Sequence, residues 1–104
     1  MSPPPQSVHH SEGARLRQLA NDAAAMIFFS RHAGKEMAKD RIDKQDVMRV
    51  LKRGAVVRVE INRGVDTHNV RGRDSDEREI EVVVVISEEM SRIKVVTAWE
   101  RIQR

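Results

Sequence analysis

The stretch Val47-Met48-Arg49-Val50-Leu51-Lys52-Arg53-Gly54-Ala55-Val56-Val57-Arg58-Val59-Glu60-Ile61 holds the change on which the fold turns. Before Gly54, apolar residues recur at the three- and four-residue spacing of a helix face. After it they alternate singly, as on a strand. Outward from that junction, residues 12 to 53 are helical in pattern and residues 55 to 100 read as four strands. Helices followed by short-linked strands describe an α+β domain: N-terminal helices packed on one face of a C-terminal antiparallel β-sheet meander. That order fixes a fold class and not an activity.

On the helical side, Asp43 is placed to cap the helix that Gly54 stops, with Asp46 three residues into it and Val47, Val50 and Leu51 as its buried face. Arg49, Lys52 and Arg53 crowd its last turn, where the helix dipole already favours cations. Upstream, Ser30 is a candidate N-cap for a helix that turns Ala33 and Met37 inward and His32, Lys35, Glu36 and Lys39 outward. Further upstream, Leu16, Leu19, Ala20, Ala23, Ala24 and Ile27 form a stripe that predicts a first helix from Glu12 to near Met26. Ile27-Phe28-Phe29 then reads as a short extended segment with both phenylalanines in the core. Met1 to Ser11, with three prolines and no period, reads as a disordered arm preceding a single domain over residues 12–104.

On the strand side, Val57, Val59 and Ile61 alternate with Arg58 and Glu60, and Asn62-Arg63-Gly64 supplies a turn. Thr67 to Arg73 follows, and Asp74-Ser75-Asp76-Glu77 makes a second, polar turn read as a solvated hairpin rather than a cation site. Arg78 to Ile86 is apolar on both faces over its second half, which predicts a central strand. In Arg92 to Glu100, alternation puts Ile93, Val95, Thr97 and Trp99 on one face and Lys94, Val96 and Ala98 on the other.

Composition sets outer bounds. One core is expected in 104 residues of which 39% are hydrophobic and 34% charged. No apolar run approaches the roughly 18 residues of a membrane span, and the proline-rich start is not a secretory pattern, so a cytoplasmic protein is expected. Without cysteine there is no disulfide, thiolate metal site or cysteine nucleophile. His9 and His10, in the arm, are weak evidence for a metal site. The helical half carries the positive field, with ten Lys/Arg against six Asp/Glu through Arg53 and nine against ten beyond it. Such a field suits a polyanion such as nucleic acid.

Phosphate loops, serine-hydrolase elbows and zinc-protease helices have no counterpart here. His32 is the histidine inside a predicted helix, with a side chain suited to proton transfer near neutrality. Arg71 and Arg73 share a strand face and are placed to straddle a phosphate, with Arg78 and Lys94 as further cations. Trp99 and Lys35 are candidate nucleic-acid contacts.

The stretch Phe29-Ser30-Arg31-His32-Ala33-Gly34-Lys35-Glu36-Met37-Ala38-Lys39-Asp40-Arg41-Ile42, with Asp46-Val47 and Val50-Leu51, resembles the His-Ala-x-x-Arg-Met-x-x-Arg-Gly-Ile signature of the bacterial domain-of-unknown-function family 4258. Val70-Arg71-Gly72-Arg73, Arg78 to Val83 and Val95 to Trp99 are similar to its closing strands. Glu36 stands where the signature has arginine, and Asp40-Arg41 where it has Arg-Gly. In size and element order that family resembles the RelE-like ribonuclease toxins, including the MqsR and BrnT branches. The resemblance implies a metal-independent endoribonuclease toxin, without cofactor, neutralised by a cognate antitoxin protein. On that reading His32 is the acid or base, Arg71 and Arg73 hold the scissile phosphate, and Arg78 or Lys94 stabilises the transition state. The alternatives are a non-catalytic protein-binding module and a nucleic-acid binder without cleavage.

Overall fold

The computed structural model describes residues 9–102. Three helices, α1 (His10–Ala20), α2 (Arg31–Lys39) and α3 (Lys44–Arg53), pack on a five-stranded mixed sheet of β1 (Met26–Phe29), β2 (Ala55–Asn62), β3 (Val65–Arg73), β4 (Glu79–Ser87) and β5 (Arg92–Glu100). The strand order is β1-β5-β4-β3-β2, so β4 is central as its two-sided apolar pattern predicts. The meander β2 to β5 is antiparallel, and the short segment at Met26–Phe29 joins β5 as a parallel edge strand. Residues 1–8 of the expected arm lie outside the described residues, and α1 begins at His10, inside the expected arm.

The helix ends follow local chemistry. Ser30 caps α2 by accepting from the Ala33 N–H at 3.0 Å. Asp43 and Asp46 close a capping box on α3, at 2.8 and 3.0 Å. Helix α1 stops at Ala20, short of the predicted Met26, so Ala23 and Ala24 are exposed. There the Asn21 N–H bonds back to Arg17, and Asp22 accepts from the Ala24 N–H in a local turn that competes with the helix.

One core gathers Leu16, Ala20, Ala33, Met37, Val47, Val50 and Leu51 from the helices against Val56, Val70, Ile80, Val82, Val84, Ile93, Val95 and Ala98 from the sheet. Phe29 packs on it, but Phe28, on the other face of β1, is 42% exposed. The two phenylalanines are therefore not both core.

Bulges overturn two predicted alternations. In β2 the register skips Val57 between Val56 and Arg58, so Val56 and Val59 meet the core, Val57 turns out, and Ile61 projects past the helices. In β5 the skip falls at Val96, between Val84↔Val95 and Val83↔Thr97. Ala98 is thereby buried under the helices, and Trp99 moves to the opposite, open face with its partner Glu81.

Candidate functional site

The open face of the sheet carries the best-formed polar cluster. Glu81 interrupts the apolar run of β4, and alternation points it away from the helices, between Arg71 on β3 and Trp99 on β5. An isolated carboxylate there would be costly, so it is compensated. Its Oε1 accepts from Arg71 Nε and Nη2 at 3.2 and 3.1 Å and from Arg101 Nη1 at 3.2 Å, and its Oε2 accepts from Asn69 Nδ2 at 2.8 Å. Glu79 adds longer contacts, 3.6 Å to Arg71 and 3.9 Å to Arg101. The result is a groove of about 520 Å³ lined by Val57, Arg58, Arg71, Glu81, Trp99, Arg101 and Ile102.

Chemically the groove offers two guanidiniums fixed by one carboxylate. Arg71 spends two donors on Glu81 and Arg101 spends one, so each retains N–H groups for a phosphate oxygen. Half-buried Trp99 forms one wall, on which a base can stack. Arg58 is tied to Glu60 at 2.9 Å.

The seven candidates named from sequence separate into three places. Arg71, Arg73, Lys94 and Trp99 share the open face, with Arg73 exposed near Glu77 and Lys94 exposed toward the β1 side. His32 and Lys35 lie on the solvent side of α2; His32 is 64% exposed at its side chain, and its Nε2 is 3.9 Å from Glu36. Since α2 packs on the other face, the sheet stands between His32 and Arg71. Arg78 is drawn into a structural clasp: Nε reaches Asp74 at 2.7 Å, Nη1 reaches the Asp40 carbonyl at 2.7 Å and Glu100 at 3.2 Å, and Nη2 reaches the Arg41 carbonyl at 3.0 Å.

That clasp corrects the reading of the 74–77 turn as fully solvated. Asp74 is buried, and its Oδ1 accepts the N–H groups of Asp76 and Arg78, each at 2.9 Å. Burial is the largest single influence on Asp74 and opposes its charge. The hydrogen bonds from Arg78 and from the turn outweigh burial and hold the carboxyl below its usual range. The same bond raises Arg78 above its ordinary value.

Residues 29–100 match the family model described as Domain of unknown function (DUF4258). The chain belongs to this family. No curated protein matches the sequence at a significant level. The DUF4258 region runs from the end of β1 to the end of β5; it includes Arg71, Glu81 and Trp99, and Arg101 lies one residue past it. Within the signature stretch, Ala33, Met37 and Ile42 are buried, and Ser30 also donates its hydroxyl to the carbonyl of the bulged Val96 at 3.0 Å. Packing thus accounts for Ala33, Met37 and Ile42 in this stretch.

Sequence reading missed Glu81, Asn69 and Arg101 as site residues. The available signal was Glu81 itself, an acid inside the Ile80–Ile86 run of a strand expected to be central. Which cations answer it depends on cross-strand register.

Proposed function

We propose that this DUF4258 chain is a metal-independent endoribonuclease toxin, related in outline to RelE-like toxins, acting in the cytoplasm and restrained by a cognate antitoxin protein. The observation that supports it best is the convergence of Arg71 and Arg101 on Glu81 beside Trp99. RNA carries its own nucleophile. The 2′-hydroxyl oxygen attacks the adjacent phosphorus and gives its proton to Glu81, the bond to the 5′ oxygen breaks, and solvent protonates the leaving oxygen. Arg71 and Arg101 hold the non-bridging oxygens as charge builds on them. Trp99 supports a base, and Arg73 and Lys94 follow the backbone along the same face. In this arrangement the proton acceptor is Glu81, and His32 and Lys35 lie outside the groove.

A second reading, a non-catalytic binding module, is favoured by one feature: Glu81 already accepts hydrogen bonds from Arg71, Arg101 and Asn69, with Oε2 holding one of them. The two separate in a cleavage assay with a chelator present. Arg71→Ala and Glu81→Gln are each expected to lower cleavage by about 100-fold or more with the fold retained by circular dichroism, while His32→Ala stays near the parent. Expression of the parent alone is expected to arrest growth with loss of transcripts. Intact RNA and normal growth at confirmed expression overturn the ribonuclease reading.

A further inference from the structure

The sheet edge at β1 is a second feature, lying outside the Arg71–Glu81–Trp99 groove and sharing with the RNA path proposed above only Lys94. β1 ends the strand order, so its outer side has no neighbouring strand among the described residues. Met26 and Ser30 donate their N–H groups inward, to Ser91 at 2.8 Å and Val95 at 3.0 Å. Alternation then turns the backbone amides of Ile27 and Phe29 outward.

Cations flank this edge on both faces. On the helix side Lys44 Nζ lies 5.3 Å from the centre of the Phe29 ring. On the open side the Arg92 guanidinium lies 5.6 Å from that of Phe28. Beside it, Phe28, Val85, Ser87, Met90, Arg92 and Lys94 line an apolar groove of about 440 Å³. None of the ion pairs among the described residues includes Lys44, Arg92 or Lys94. Phe28 and Met90 are 42% and 56% exposed, so apolar surface accompanies the free charge.

We propose that β1 is a docking edge for an acidic, extended segment of a partner protein. The segment adds as a further strand, its alternating side chains placing carboxylates beside Lys44 on one face and beside Arg92 and Lys94 on the other. Backbone bonds to Ile27 and Phe29 fix its register, and Phe28 and Met90 receive an apolar side chain. Charge argues against a second copy of this chain as occupant, because β1 paired with its own copy would bring both sets of cations together.

Fluorescence anisotropy with the full chain and three labelled peptides tests the proposal: a Glu-Val peptide of Glu-Glu-Val-Val repeats, which places carboxylates and valines on both faces of a strand, its Lys-Val counterpart, and the same Glu-Val peptide N-methylated at alternate amides. The Glu-Val peptide is expected to bind and the other two are not. The double variant Arg92→Glu/Lys94→Glu weakens binding about tenfold, the size expected from two partly exposed charge pairs, and Arg63→Glu, in the remote β2–β3 turn, leaves it unchanged. Hydrogen exchange at Ile27 and Phe29 slows on binding. Absence of binding, or binding indifferent to N-methylation or to the double variant, overturns the proposal. So does protection of the same amides by concentration-dependent dimerisation, or by single-stranded RNA in preference to the peptide.

Discussion

Arg41 occupies a backbone conformation that arginine adopts at a cost. Its φ is +53°, and around it the Ile42 N–H returns to the Met37 carbonyl at 2.9 Å and the Arg41 N–H to the Ala38 carbonyl at 3.3 Å. This is the left-handed stop that commonly ends a helix on glycine. Arg41 stands where the signature that this stretch resembles has glycine, the residue to which such a backbone comes at least cost. Arg41→Gly is expected to stabilise the fold by about 1 kcal/mol by relieving the left-handed strain, seen as a higher urea midpoint with unchanged slope. At this scale the sequence was read well where the chemistry is local: Ser30, Asp43 and Asp46 cap the helices as their types and spacing predict. It was read poorly for Arg78, whose five-donor side chain joins segments far apart in the chain.

Between elements, the close approach of α3 to β3 sets the position of Arg71. A Cβ at Gly54 would lie 2.6 Å from the carbonyl oxygens of both Arg71 and Val50. Gly72 faces it from β3, where a Cβ would be 3.3 Å from the Gly54 Cα. Gly54 stops the helix as its position predicts, and its missing side chain also lets the helix end rest on the strand bearing Arg71. Gly54→Ala is expected to destabilise by about 2–3 kcal/mol, because backbone must move. Gly34→Ala, on the solvent side of α2 with nothing within 4 Å of the new methyl, is expected to stabilise by about 0.5–1 kcal/mol. Thermal unfolding of the pair checks both signs, and Gly54→Ala also reports on the groove through any change at Arg71.

For the molecule as a whole, the Asp74–Arg78 clasp ties the β3–β4 turn to the α2–α3 loop and the end of β5. Arg78 bridges the Asp40 and Arg41 carbonyls and Glu100, and Asp40 in turn accepts the Glu100 N–H at 2.9 Å. A carboxyl whose folded pKa is depressed contributes stability above its unfolded value, about 3.9, and loses that contribution as pH falls through the folded value. Asp74→Asn is therefore expected to destabilise by about 2–4 kcal/mol at neutral pH, with the gap to the parent closing below about pH 4. Urea titrations of both proteins across acid pH measure that convergence; a gap constant with pH sinks the assignment.

The sequence by itself determined the helix-then-sheet order, the central place of β4, the caps of α2 and α3 and the inward faces of those helices. Each of these follows from contacts within a few residues or from a regular period. The tertiary structure decided what depends on partners distant in sequence: the parallel docking of β1 on β5, the burial of Asp74 under Arg78, and the separation of His32 from Arg71 by the sheet. It also decided the face of Trp99. One extra residue at Val96 reverses every later side chain in β5, and a bulge is held by cross-strand register and by the Ser30 hydroxyl, neither of which has a period to read.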